Sequence, residues 1–508
     1  MSPRRAWNAV RRRPDLLILL AGLLLAAVEA HARVGGGQRY GGGSSGGGSY
    51  GGGGSYGGGS GDGDAIFLLI WLLFEHPVLG VPVLALTALV VISDMRRRAR
   101  WGPRRTLEGL PHGAGGVRLA RRPDRSGWAA LAARDTGLSE PVLHDHVQLV
   151  VRRALEARTE EARAALAPFV AAEAWPAVDR ARDESGDLTD IVLAGTTVTS
   201  VQQRDGEDRL TVEVRSARLH PDGRDVLSEE SWTFRRAVGA TSLAPDATRR
   251  LGCPSCGAAV QVDLLGRCTA CGTAITAGQL QWQVVDVTVL HTEPNHPPEV
   301  GFFAGGEEPG WHVPSRVDPD LPAASRAFHG RHPHFDPQAW EDRMRGIFLA
   351  LQDAWSRTSW DEARPHCTDA AWNTLRFWMV RHARAGLRNH VEDVVILRMQ
   401  VVRLTVDAWY EGVTVRFWAS ARDWTVDAQG RVVGGNERTA RRFSEYWTFL
   451  RAVGSGEQVH DVHRCPSCGA PLDRISAAGV CGYCDTVIVT GQHDWVLSRI
   501  EQPDAYRG

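Results

Sequence analysis

The sequence contains no lysine, and all 58 of its basic side chains are arginine. That absence excludes a phosphate-binding loop ending in Lys, a kinase-type ATP lysine and any Schiff-base chemistry on a lysine. Cysteine is missing before position 253, so the first part of the chain has no thiol for a disulfide, a nucleophile or a soft metal. Net charge is also nearly absent, at −1 over 508 residues. Such a chain has no global electrostatic pull toward nucleic acid.

What is present is unevenly spread. In residues 1–32, Arg4, Arg5 and Arg11 to Arg13 precede an apolar stretch from Leu16 to Val28, and Ala30-His31-Ala32 offers a small-residue cleavage site. This reads as a signal peptide or, uncleaved, as a first membrane helix. Residues 33–64 are almost all Gly and Ser, with Tyr40, Tyr50 and Tyr56 between them. They cannot bury enough apolar surface to fold, so disorder is expected.

Residues 65–93 carry the longest apolar run and are expected to span a membrane. Arg96, Arg97, Arg98, Arg100, Arg104 and Arg105 follow, which predicts that everything downstream is cytoplasmic. Glu75 and His76 interrupt the run. Such a pair is either a functional intramembrane site or interfacial, and we place it at the interface with Pro77 opening the spanning helix. Residues 94–137 then read as a basic juxtamembrane linker.

Beyond it, the chain repeats itself. Glu230-Ser231-Trp232-Thr233-Phe234-Arg235-Arg236-Ala237-Val238-Gly239 recurs as Glu445-Tyr446-Trp447-Thr448-Phe449-Leu450-Arg451-Ala452-Val453-Gly454. Each copy is followed by Cys-Pro-Ser-Cys-Gly-Ala, then by Gly278-Gln279 ahead of Trp282 or Gly491-Gln492 ahead of Trp495. Matching order and spacing imply a duplicated module.

In the second copy, Asp336-Pro337 opens a helix with Trp340, Met344, Ile347, Phe348, Leu351 and Trp355 at three-and-four spacing. Thr368-Asp369 opens another, with Gly386 as its stop. The period then changes to two, and strands are expected over 394–406, 413–419 and 446–453. The first copy shows weaker helices near 144–155 and 160–172, then strands near 190–199 and 210–217. Helices followed by an antiparallel sheet predict an α+β class. The expected boundaries are 138–248 and 335–458 for the modules, 249–290 and 459–500 for the ribbons, and 291–334 for a Pro- and Gly-rich linker.

Eight of the nine cysteines form C-x-x-C pairs. Cys253, Cys256, Cys268 and Cys271 make one set, and Cys465, Cys468, Cys481 and Cys484 the other. Each pair supplies one edge of a tetrahedron, so each set predicts one structural zinc ion with no open coordination position. The rival, disulfides, is disfavoured by a reducing cytoplasm. Gly257, Gly272 and Gly469 suit the turns behind the ligands. Few arginines flank the ribbons (Arg249, Arg250, Arg267, Arg464), so nucleic acid is not expected as a partner. The ninth cysteine, Cys367, beside His366, is read as buried packing and not as a nucleophile pair.

In the second copy, Gln352-Asp353-Ala354-Trp355, Arg364-Pro365, Gly386-Leu387-Arg388-Asn389 and Glu445-Tyr446-Trp447-Thr448-Phe449 resemble the Tim44-like domain, the family named for the inner-membrane anchor of the mitochondrial import motor. The resemblance covers 335–454 well and 138–239 loosely, because the first copy lacks the Q-x-A-W helix. It implies cone-shaped modules similar to nuclear-transport-factor-two-like domains, with an apolar concavity, behind an N-terminal membrane segment. It also implies a place at a bacterial inner membrane, with membrane lipids and protein partners. No enzyme active site comes with it.

The expected function is a membrane-tethered, non-enzymatic binding scaffold at the cytoplasmic face, acting in membrane protein assembly or translocation. Two alternatives stand beside it. One is an isomerase or hydrolase using a pocket group such as His382 or Asp393. The other is a tethered nucleic-acid-binding or regulatory ribbon protein.

Overall fold

The computed structural model describes residues 124–182, 188–223, 225–294, 306–308, 310–506 and 508. The expected signal peptide, Gly/Ser segment, membrane segment and most of the basic linker lie outside these residues. No helix among the described residues is long and apolar enough to cross a membrane.

The first module opens with α1 (Arg125–Ala132), α2 (Glu140–Glu156), the short α3 (Glu160–Ala164) and α4 (Trp175–Ala181). Pro141 sits in the first turn of α2, where its missing N–H costs nothing. Leu143, Val147, Val150, Val151 and Ala154 fall at three-and-four spacing on α2 and all are buried. They cover the inner face of an antiparallel sheet of β1 (Asp190–Arg204), β2 (Glu207–Leu219), β3 (Val226–Ala237) and β4 (Gln283–Pro294), in that order. Alternation sends Leu210, Val212, Trp232, Phe234 and Val284 inward.

The second module repeats this plan. It comprises β5 (Gly306–Glu307), α5 (Leu321–Arg331), α6 (Pro337–Arg357), α7 (Trp360–Ala363) and α8 (Asp369–Arg384). Then come β6 (Arg388–Val406), β7 (Tyr410–Val426), β8 (Val432–Ala452) and β9 (Val496–Glu501). The Asp336 carboxylate caps α6 by accepting from the Gln338 and Ala339 amides, and the Thr368 hydroxyl caps α8 by accepting from Ala371. The sheet runs β5-β8-β7-β6, and β9 takes the edge of β8 from Tyr446 to Leu450.

Four expectations need correction. The ribbons do not follow the modules; each is inserted before the last strand. β4 and β9 lie C-terminal to the cysteines and pair with β3 and β8, so 249–290 and 459–500 mix ribbon and sheet. The expected linker 291–334 is partly built into the second module. β5 pairs in parallel with Arg441 and Arg442, and α5 buries Phe328. The basic linker 94–137 likewise contains α1, which packs Trp128 against the first core. Finally, the concave face of the second sheet is filled. Phe348 stacks on Phe417 at 4.7 Å, with Phe443, Trp447 and Phe449 around them.

The modules also pack against one another. α8 lies across the outer face of the first sheet, with Phe377, Trp378 and Val380 on Val192, Ala194, Ala217, Leu219 and Leu227. Burying Phe377 alone is worth about 1.5–3 kcal/mol. Polar contacts ring this patch. Asp145 accepts from the Ala370 amide at 3.0 Å, Asn373 donates to Gln148 at 3.0 Å, and the Trp409 indole donates to the Gly137 carbonyl at 2.8 Å. Arg376 pairs with Asp190.

Candidate metal centres

In each ribbon the structure brings the four thiols together, every pair of ligand atoms within 4.8 Å. Cys253 and Cys271 Sγ are 3.9 Å apart, as are those of Cys465 and Cys484. Four thiolates at about 2.3 Å from a tetrahedral ion lie about 3.8 Å apart. Both sets therefore lie close to the spacing a tetrahedral metal ion needs. All eight are free cysteines, with no disulfide among the described residues.

One backbone turn is used four times. The carbonyls of Cys253, Cys268 and Cys465 accept from the amides of Gly257, Gly272 and Gly469 at 2.8 Å, and that of Cys481 accepts from Asp485 at 2.9 Å. The donor residues have φ of 75°, 72°, 74° and 57°. Asp485 was missed because only glycine was sought, although Asp also tolerates this region. Setting Cys481-Gly-Tyr-Cys-Asp-Thr against Cys268-Thr-Ala-Cys-Gly-Thr would have revealed it.

The chemistry matches as well. The Thr273 hydroxyl sits 3.4 Å from Cys271 Sγ, and hydrogen bonding with Thr273 lowers that thiol to about 6. Thr486 does the same for Cys484, also to about 6. Neighbouring cysteines raise Cys256 to about 11 and burial raises Cys465 to about 12, so one thiol of each set ionises first. Thiolate is the form a metal binds. With four cysteine donors, a bound ion keeps no position for substrate, so its contribution is structural.

A second repeated device fixes each ribbon to its sheet. The Trp232 indole donates to Glu230 and the Trp447 indole to Glu445, both at 2.9 Å. Two turns of the strand alternation further on, Arg236 lies over the Trp282 ring at 4.4 Å and pairs with Asp135 at 2.8 Å. Arg451 lies over Trp495 at 4.8 Å and pairs with Glu411 at 3.0 Å. The Gly278 and Gly491 carbonyls accept from Ala237 and Ala452 at 2.8 Å. The conserved spacing within the two repeats is thus one mechanical unit: the arginine ending the third strand is stacked on the tryptophan that begins the strand after the ribbon.

The ribbons differ in what surrounds their tips. In the second, the Ala477 carbonyl accepts from Arg364 Nε at 2.8 Å, and Arg343 donates to the His460 carbonyl at 3.1 Å. Both arginines are buried in the second module. The corresponding residues of the first ribbon are Leu264 and Leu265; Leu264 is fully exposed and Leu265 72% exposed.

The other sequence candidates do not assemble a site. Cys367 is fully buried, and burial pushes its thiol up to about 12, while burial pushes neighbouring His366 down to about 3. Neither holds the charged form a nucleophile pair needs. His382 is buried against Trp355, and its ring Nδ1 donates to the Trp378 carbonyl at 2.9 Å. Asp393 is exposed at a bulge of β6 and pairs with Arg422 at 2.6 Å. One lies in the core and the other on an edge strand.

Sequence reasoning did miss a cavity of about 60 Å³ between the modules, lined by His144, Asp145, Gln148, Thr196, Thr374 and Arg499 among others. Asp145 is part-exposed to this space yet enclosed by protein. Burial and the nearby Asp369 carboxylate push it up to about 7.

Residues 321–465 match the family model of the Tim44-like domain. Most of the second module is thus similar to the Tim44-like domain. The match begins at α5 and ends at the first cysteine of the second ribbon, so the remaining ribbon ligands and β9 lie beyond it. The first module lies outside the matched residues. No curated protein matches the chain.

Proposed function

We propose that this chain is a non-enzymatic scaffold tethered at the cytoplasmic face of a bacterial inner membrane, holding protein or lipid partners during membrane protein assembly or translocation. The observation that carries this reading is the Tim44-like match over a module whose concave face is filled by Phe348, Phe417, Phe443, Trp447 and Phe449. A filled interior leaves the outer surfaces for binding. The two four-cysteine clusters are assigned to zinc, because an all-thiolate tetrahedral set with closed coordination suits it. The first module, built on the same plan, is a duplicated copy that buttresses the second through α8. The apolar run at 65–92 with its arginine flank supplies the tether.

The test is purification of the full-length protein in mild detergent, with mass spectrometry of co-purifying proteins and lipids and elemental analysis for metal. A stoichiometric protein partner supports assembly or translocation, and enriched lipid without protein narrows the role to lipid binding. Turnover of a small molecule by the preparation overturns the non-enzymatic reading. A metal content other than two zinc ions per chain overturns the assignment of the clusters.

A further inference from the structure

Leu264 and Leu265 form the tip of the first ribbon, in a tight turn held from both sides. The Asp263 carboxylate accepts from the Leu265 and Arg267 amides, each at 2.9 Å, and the Gly266 amide donates back to the Asp263 carbonyl at 3.0 Å. The turn sits between the two ligand pairs, with Val262 bridged to Cys268. The cluster and this bridge fix the loop, so the two leucines project from a stiff base and are not a collapsed coil.

Three features select what they meet. The tip is two adjacent leucines on one tight turn, both exposed, a small apolar point suited to a medium that closes around it. Its one acidic side chain, Asp263, is exposed but turned onto the amides of its own loop, and Arg267 beside it and Arg250 at the ribbon's root are exposed. Adjacent apolar side chains with basic neighbours match an anionic lipid surface. The second ribbon gives the contrast: at the same positions it has Ala477 and Ala478, and its Ala477 carbonyl is tied to Arg364 of its own module.

We propose that Leu264 and Leu265 insert into the headgroup–acyl boundary of an anionic bilayer, making the first ribbon a second membrane contact beside the N-terminal anchor. This rests on the reading that residues 65–92 anchor the chain. Anchoring by one element is strengthened by another in the same molecule, since the second contact forms at high effective concentration. Inserting two leucyl side chains raises partition into the lipid surface by about tenfold or more.

The test uses the full chain, reconstituted into vesicles of phosphatidylglycerol and phosphatidylethanolamine. A photoreactive benzophenone amino acid replaces Leu265, or Ala478 as the control. The expected result is flotation of the chain with the vesicles and lipid adducts from position 265 but not from 478. Adding Leu264→Ser should reduce those adducts severalfold while metal content stays unchanged. A chain that floats but gives no lipid adduct at 265, or gives protein adducts instead, overturns the tip and leaves the anchor standing. A chain that does not float overturns the anchor reading and the tip with it.

Discussion

The two ribbons gather their thiols in the same way and differ at their tips. Each has four sulfurs within 4.8 Å and each hands the chain to a buried tryptophan, Trp282 or Trp495, stacked on an arginine. The second is also held by Arg343 and Arg364 from α6 and the turn before α8, while the first ends in two leucines facing solvent. The chelating core and the strand after it are therefore the invariant part of the design. The tip is where the copies differ: both are exposed, but one presents two alanines with a backbone carbonyl tied to Arg364 and the other two leucines.

The sharpest way to break this comparison is to remove the metal sites singly. Cys465→Ser with Cys468→Ser should cost several kcal/mol, since structural zinc sites contribute about 10 kcal/mol of binding free energy to folding. It should also expose the β8–β9 pairing from Tyr446 to Leu450 to hydrogen exchange. The matching change at Cys253 and Cys256 should destabilise the first sheet and leave those amides protected. Equal loss of protection in both variants would show that the two sheets melt as one.

Next in size are the buried arginines. Arg236→Ala removes the arginine paired with buried Asp135 and should cost about 3–5 kcal/mol by denaturant unfolding. Arg451→Ala should cost less, because Glu411 keeps Arg331 at 3.1 Å and His332 at 2.8 Å; an equal or larger loss there would show that stacking on Trp495, and not the ion pair, dominates.

A smaller effect separates the modules by pH. The folded pKa of Asp145, about 7, lies above its usual 3.8. Its favourable contribution is complete below about 4 and fades as pH rises toward 7, when a charge must be held near Asp369. Asp145→Asn should therefore stabilise the intact chain at pH 8 relative to pH 4, compared with wild type, in paired thermal melts. An identical pH profile in both proteins would exclude Asp145 as the titrating group.

The smallest effect lies in the turns. Gly272→Ala should cost about 1 kcal/mol because its φ is positive, whereas Asp485→Gly should be neutral or slightly stabilising. Chemical denaturation of the two variants measures both. A large loss on Asp485→Gly would give its side chain a role beyond the turn.

Local chemistry made much of this legible from sequence. Asp336, Thr368 and Gly386 mark helix ends by capping and by positive φ, and α6 and α8 lie where their spacing placed them. The cysteine pairs identified the candidate metal ligands outright. What escaped depended on contacts distant in sequence. Gln283 to Thr292 alternates as a strand should, but the neighbouring cysteines drew the whole segment into the ribbon. The helix at Leu321 hid in a stretch rich in Pro, Gly and His, where only the burial of Phe328 reveals its purpose. Asp145 looks like any helical surface acid until α8 of the other module arrives beside it. The recurring Trp282 and Trp495 were visible as a pattern, while their stacking on Arg236 and Arg451 needed the fold.

Placing a chelating loop before the final strand of each sheet has a kinetic consequence. Joining β8 directly to β9 means closing a long, flexible connection, and the entropy of that closure grows with the free length of chain. Once a metal ion gathers Cys465 to Cys484, the connection shortens to two small arms, and Trp495 is delivered near Arg451. With a metal ion held there, sheet completion would depend on metal supply as well as on sequence. Nascent chains made without the ion would carry an open sheet edge, a surface for proteases and chaperones.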